Sequence, residues 1–129
     1  MPYINIKLNV PKSEELKKTI VEIVLKNSEG ILKRKREVTS ILVEFVSFED
    51  WFINDKNCKT FYLDIKITKG TTTKDEKQEF IKNIFDEFKE LLGDISNVSY
   101  IKIDEINGDC WGFDGTTQEF KYYESLKCK

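Results

Sequence analysis

The residue with the clearest chemical potential is Pro2, which follows the initiator methionine at the head of an alternating strand pattern. If Met1 is removed, Pro2 carries a free secondary amine. An α-amino group has a reference pKa of about 7.7–8.0, which a low dielectric or nearby cations would lower. Because the chain contains no histidine, Pro2 is the candidate general base near neutral pH. The alternative is structural, since proline is accepted as the first residue of a strand.

The segments that must position Pro2 occur twice in the chain. Trp51 and Trp111 lie 60 residues apart, and the stretch 38–43 matches 98–103 at the same offset. The first strand matches the second half at an offset of 59, so we expect one extra residue in the second turn. Such duplication determines the architecture. We predict a single domain, 1–129, with repeat one at 2–58, repeat two at 60–118 and a C-terminal tail at 119–129.

Repeat one is predicted to be a strand, a helix and a second strand. Alternating apolar residues indicate a strand at 3–8. Ser13, followed by two glutamates, is a typical helix N-cap, and apolar residues at helical spacing continue to Ile31. The basic turn 33–36 then leads to a second strand at 38–46.

Repeat two follows the same plan. We predict a strand at 62–68, a helix that ends at Gly93 and a strand at 98–106. The tail offers one short strand candidate, at 119–123.

Two such units imply an α+β fold, in which two β-α-β repeats form a four-stranded mixed sheet with two helices on one face. By parity, the other face of the sheet is expected to carry Tyr3, Phe45, Tyr62 and Tyr100. A half-apolar open face indicates burial against other subunits, so we expect an oligomer.

The composition excludes several classes of function. With 21 basic and 23 acidic residues, the net charge is −2, which argues against general nucleic-acid binding. No apolar run approaches the roughly 20 residues of a membrane span, and no signal peptide is visible, so we expect no membrane partner and a cytoplasmic protein. Cys58, Cys110 and Cys128 lack metal-type spacing and are interpreted as reduced thiols, with no metal bound.

Four further segments of the chain are MPYINI at 1–6, SEELK at 13–17, VTSI at 38–41 and DCWGFDG at 109–115. Together with the duplication, they resemble the tautomerase superfamily, the group of 4-oxalocrotonate tautomerase and macrophage migration inhibitory factor. The resemblance covers residues 2–118. It implies a fused two-repeat member that forms a homotrimer and uses no cofactor. The implied activity is keto-enol tautomerisation of a small carboxylate substrate, a 2-hydroxydienoate or an α-keto acid.

The resemblance also implies roles for individual residues. Pro2 matches the catalytic proline, which shuttles a proton between carbon and oxygen. Tyr100 and Lys102 match pocket residues and are expected to reach Pro2 across a subunit interface. The remaining substrate-binding candidates are Lys12 after the first strand, Trp111 as an aromatic wall and Arg36 in the basic turn. For each of these, a solvent-facing cation or a core tryptophan is the structural alternative.

The chain also departs from the family pattern. Leu42 and Lys102 stand where a strand arginine is expected, and Phe52 replaces the glycine after Trp51. These changes leave the substrate open. One alternative is a family hydratase, dehalogenase or decarboxylase, in which protonated Pro2 is a general acid and a carboxylate activates water; the sequence does not identify that carboxylate. A second alternative is a catalytically idle trimeric binding module.

Overall fold

A computed structural model describes residues 2–127 of the chain. Met1, whose removal would free Pro2, and the thiol of Cys128 lie outside the described residues. Short 3-10 turns occupy Arg36–Val38 and Phe48–Asp50. The strands and helices are β1 (Tyr3–Leu8), α1 (Glu14–Gly30), β2 (Ser40–Phe45), β3 (Phe52–Ile53), β4 (Lys56–Asn57), β5 (Phe61–Thr68), α2 (Lys74–Leu92), β6 (Tyr100–Ile106), β7 (Gly112–Phe113), β8 (Thr116–Thr117) and α3 (Gln118–Lys127).

The duplication is visible in the positions of these elements. Helices α1 and α2 begin 60 residues apart, as do β2 and β6, and so do the first strands of the two hairpins, β3 and β7. The helix N-caps, Ser13 and Thr73, are related in the same way, and each side chain accepts a backbone N–H from the first turn of its helix. The two β-α-β units predicted from the sequence are therefore confirmed.

The four long strands form one mixed sheet in the order β2-β1-β5-β6. Within each repeat the two strands are parallel, and β1 runs antiparallel to β5 at the centre of the sheet. Ile4 of β1 lies opposite Ile41 on one side and Ile65 on the other. The predicted mixed sheet is confirmed, and its central pair joins the two repeats.

Both helices cover one face of this sheet. The apolar residues of β1 and β5 alternate with polar ones, and the apolar set is fully buried beneath α1 and α2. Phe61 meets the α2 side chain Phe88 with ring centroids 4.8 Å apart. The fully buried members of the core are Ile4, Ile6, Leu8, Ile20, Val24, Leu32, Phe61, Leu63, Ile65, Ile67, Phe80, Ile84 and Phe88.

The prediction for the second sheet face was wrong at Phe45. Phe45 lies opposite Leu8 in the register and packs against the core together with Ile41 and Val43. The parity of β2 places these odd-numbered residues on the helix side, and Leu42 points the other way, 46% exposed. The open face therefore carries Leu42 in place of Phe45.

The predicted short strand at 119–123 was also wrong, because residues 118–127 form the helix α3. The hydroxyl of Thr117 accepts the backbone N–H of Phe120, which satisfies one of the free donors at the start of the helix. Glu119 in the first turn adds a favourable charge there. None of the helices within residues 2–127 is both long enough and apolar enough to cross a membrane.

The capping box of α2 yields a stability prediction. Thr73 Oγ1 accepts the Glu76 N–H at 3.1 Å, and Glu76 Oε1 accepts the Thr73 N–H at 2.8 Å. Thr73→Ala should lower the free energy of unfolding by about 1 kcal/mol, because the cap is lost. Urea unfolding at fixed protein concentration measures this. The control is Thr19→Ala in the interior of α1, where alanine is the better helix former and no loss is expected. Equal losses at both positions would contradict the role of the cap.

Candidate active site

Pro2 lines a cavity of about 410 Å³ at one end of the sheet. The residue is buried, and its carbonyl accepts the Ser40 N–H at 3.2 Å, which ties the start of the chain to the start of β2. The other walls come from three segments. These are Tyr3, the turn and strand start at 37–40, and the hairpin residues 111–113.

The sheet register explains why these segments meet. Tyr3 lies opposite Ser40 of β2 and Lys66 near the end of β5. Strand β6 ends with Ile106 opposite Thr68, so the chain leaving β6 emerges at the same end of the sheet as Pro2. The β7–β8 hairpin then completes the cavity.

One side-chain hydrogen bond holds the β7–β8 hairpin in place, and its close backbone approach requires a glycine. The indole N–H of Trp111 donates to Thr68 Oγ1 at 3.2 Å, which fixes the ring at the cavity wall. At Gly112 a Cβ atom would lie 1.9 Å from the Thr116 carbonyl oxygen, so the hairpin accepts no side chain there. The matching position of the first hairpin holds Phe52, which is 59% exposed.

Sequence reasoning missed Glu37, which lines the Pro2 cavity. Pattern analysis placed the second strand at 38–46 and treated the preceding residues as a basic turn. In the structure, residues 36–38 form a 3-10 turn and the strand begins at Ser40. This turn brings Glu37, an exposed residue, to the rim of the cavity. The signal in the sequence was a lone acidic residue directly after four basic ones.

Lys12 lies at the opposite end of β1 from Pro2. It lines a different cavity, of about 310 Å³, together with the segment 45–48. The six residues of β1 span about 20 Å at roughly 3.3 Å per residue. Within one chain, Lys12 therefore cannot reach Pro2.

Tyr100 and Lys102 lie on β6, at the edge of the sheet and on its open face. Lys102 Nζ is 3.2 Å from Asp104 Oδ2 and 3.9 Å from Asp64 Oδ2. The hydrogen bond to Asp104 and the charge of Asp64 raise the pKa of the Lys102 ammonium. The Tyr100 ring packs against Tyr62, with centroids 6.0 Å apart. Neither residue lines the Pro2 cavity.

Arg36 faces the outer surface of α1. Its guanidinium bonds both carboxylate oxygens of Glu22, at 2.6 and 3.2 Å, and reaches Glu29 at 3.1 Å. These bonds raise the pKa of the arginine. The structure thus brings Pro2 and Trp111 together with Glu37, and it places Lys12, Arg36, Tyr100 and Lys102 elsewhere in the same chain.

The cavity is lined by Pro2, by the aromatic residues Trp111 and Phe113, and by the acidic residue Glu37. The residues that line it include no lysine or arginine. A carboxylate substrate bound there would need positive charge from outside the chain's own cavity walls. Within residues 2–127, no three His, Cys, Asp or Glu side chains cluster as a metal site would require.

This fold, a fused pair of β-α-β units, is similar to that of solved macrophage migration inhibitory factor-like and fused 4-OT structures. A macrophage migration inhibitory factor-like protein of Entamoeba histolytica is similar at a TM-score of 0.77 and 22% identity, over 90% of this chain and 97% of that one. An asymmetric trimer of wild-type fused 4-OT is similar at a TM-score of 0.82 and 13% identity, over 92% and 98%.

A third similar structure is a malonate semialdehyde decarboxylase inhibited by 3-bromopropiolate. Its TM-score is 0.76 at 17% identity, and the match covers 95% of this chain and 96% of that one. No protein-family model and no curated protein matches the sequence. The fold predicted by the sequence resemblance is confirmed.

Proposed function

We propose that this protein is a cofactor-independent tautomerase of the superfamily whose fold it has, with Pro2 as general base. Its substrate would be a small enolisable α-keto acid or 2-hydroxydienoate. The observation that carries the proposal is that Pro2 lines a partly apolar cavity walled by Trp111. Apolar surroundings favour the neutral form of an amine, and only the neutral form accepts a proton.

In this mechanism the Pro2 nitrogen removes a proton from the carbon or hydroxyl of the substrate and returns it at the other end of the conjugated system. The side chains of Trp111 and Phe113 would exclude water from the intermediate. The enolate that forms carries negative charge, so the reaction needs a nearby cation or hydrogen-bond donor.

We infer that this positive charge comes from a neighbouring subunit of a homotrimer. Lys102 and Tyr100 lie on an edge strand, and Lys12 lies beyond the far end of β1, whose six residues span about 20 Å. In this proposal all three residues serve the Pro2 cavity of another subunit. The similar fused 4-OT structure is a trimer, which supports this assembly. Light scattering at micromolar concentration should give about three times 15.2 kDa. A stable monomer would contradict it.

Changing the catalytic secondary amine should lower the activity strongly, because Pro2→Ala leaves a more basic primary amine on a freer backbone. We expect Pro2→Ala to lower turnover of phenylpyruvate or 2-hydroxymuconate by about 10²–10⁴, the usual contribution of an acid–base group. Mass spectrometry of the intact chain must show that Met1 is absent from both proteins. The matched control is a chain with a retained N-terminal extension, which keeps Pro2 but converts its nitrogen into an amide. Full turnover by the extended chain would remove Pro2 from the mechanism.

Subunit mixing tests whether the site is shared between chains. Pro2→Ala and Lys102→Ala are each expected to be impaired. Refolding the two together in equal amounts should restore wild-type sites, about one quarter of the total if assembly is random, because one chain supplies Pro2 and its neighbour Lys102. Lys66→Ala in place of Lys102→Ala is the control, since Lys66 bonds the same aspartates from a central strand. No recovery on mixing would place Lys102 outside the site.

A second candidate function is favoured by Glu37. Hydration or decarboxylation on this fold would use protonated Pro2 as general acid and a carboxylate to activate water. Glu37 is the acidic residue among those that line the Pro2 cavity, which supports it as the candidate for this role. Its negative charge would also favour the protonated amine, in opposition to cations from a neighbour.

The pH profile separates these two functions. For the tautomerase, the Pro2 pKa should lie below about 7.7–8.0, and activity should rise with pH through that value. Glu37→Gln should lower the pKa further and keep the activity. For the hydratase, the pKa should lie above about 8, activity should fall as pH rises through it, and Glu37→Gln should abolish turnover. An ¹⁵N-proline titration of the processed protein, with matching rate measurements, decides between them. If neither the processed wild type nor Glu37→Gln turns over any keto acid, the idle binding module is the remaining alternative.

A further inference from the structure

A further cavity, of about 520 Å³, is linked to the Pro2 cavity by a hydrogen bond between a residue of each lining. Thr68 lines this cavity, and its hydroxyl is the acceptor of the Trp111 indole N–H. Arg34 and Lys69 contribute two cations to the same cavity, and the helix α3 closes it on the other side with Glu119 and two tyrosines. Its volume falls within the usual range for small-molecule sites, about 300–1,000 Å³.

Arg34 is held at this cavity without an anionic partner. Its Nη2 donates to the hydroxyls of Thr71 and Thr72, at 2.5 and 2.6 Å, while its buried Nε–H has no partner. None of the ion pairs of 4.0 Å or less within residues 2–127 involves Arg34. Burial lowers the pKa of the guanidinium, opposed by the more distant carboxylates of Glu76 and Glu105.

Of the two arginines in the basic turn, Arg34 lacks an anionic partner and Arg36 has two. Two residues further along the chain, Arg36 is saturated by the carboxylates of Glu22 and Glu29 and lies on the outer surface. Arg34 has only neutral hydroxyl acceptors, so its guanidinium keeps unused donor capacity. A partly buried cation without a counter-ion is electrostatically unsatisfied, and a bound anion would compensate it.

The lining defines the charge and shape of the ligand. Arg34 and Lys69 are the cationic lining residues and Glu119 is the acidic one, while Glu76 and Glu105 act on Arg34 from further away. This limited excess of positive charge suits a monoanion better than a dianion. Tyr122 and Tyr123 are 60% and 54% exposed, with ring centroids 5.8 Å apart, and offer flat apolar surfaces. We propose that this cavity binds a small aromatic monocarboxylate, with its carboxylate on Arg34 and its ring against the tyrosine pair.

Benzoate is the probe that tests this proposal by titration calorimetry. We expect saturable binding to the full chain, weakened about ten- to a hundredfold in Arg34→Met, as for a lost charge-assisted hydrogen bond. Arg36→Met is the matched control and should bind as the wild type does. Acetate, which lacks the ring, and benzyl alcohol, which lacks the charge, should both bind more weakly. Pro2→Ala should retain benzoate binding, which separates this cavity from the Pro2 site.

Two further variants keep the test decisive if Arg34→Met fails to fold. Lys69→Met should weaken benzoate but not benzyl alcohol, and Tyr123→Ala should weaken benzoate but not acetate. Circular dichroism establishes the fold of each variant before titration. Equal benzoate affinity in wild type and Arg34→Met would overturn the proposal. Benzoate affinity unchanged in both Lys69→Met and Tyr123→Ala would also overturn it. Loss of benzoate binding in Pro2→Ala would assign the ligand to the Pro2 cavity instead.

Discussion

The antiparallel pairing of β1 with β5 is the constraint on which the rest of the molecule depends. The register is itself two-fold symmetric, because Tyr3 opposite Lys66 and Lys7 opposite Tyr62 are exchanged by an offset of 59 residues. The pairing makes one core from two units that could not each bury a sheet face alone. It also brings the end of β5, and with it Thr68 and the Trp111 hairpin, to the point where the chain begins.

The two ends of this symmetric sheet have diverged in chemistry. At the position equivalent to Pro2, the second repeat has Phe61, which is fully buried and packs on Phe88. The hairpin over Pro2 has Gly112, where a side chain would collide with the opposite strand, and the other hairpin has an exposed Phe52. One end thus fills its space with a core phenylalanine, and the other keeps a cavity beside a proline. In a fused chain the two repeats can carry different residues at equivalent positions, so the two ends of the sheet can differ. Two identical subunits cannot differ in this way.

Most of the fold was predictable because it rests on periodic signals of several residues. Alternation identified the four strands, Ser13 marked the start of α1, and Gly93, with φ of 86°, ended α2 as expected. The predictions that were wrong concern segments whose structure depends on one local interaction or turn. A threonine cap turned the tail into a helix, and a 3-10 turn shifted β2 and carried Glu37 to the cavity. Composition likewise could not show which arginine of the basic turn is neutralised, because this depends on the three-dimensional positions of Glu22 and Glu29.

The distribution of charge then limits how the Pro2 site can work. The lining of the cavity in one chain carries a carboxylate and no lysine or arginine, whereas Lys102 stands on an edge strand beside Asp64 and Asp104. An exposed edge strand has free backbone donors and acceptors, which in a stable protein are usually covered or paired. Under the proposed trimer, covering β6 with a second chain would satisfy these groups and carry Lys102 toward another cavity in the same step. Assembly and electrostatic completion of the site would then be one event, and an isolated subunit would be both aggregation-prone at its edge and deficient in the charge that stabilises an enolate.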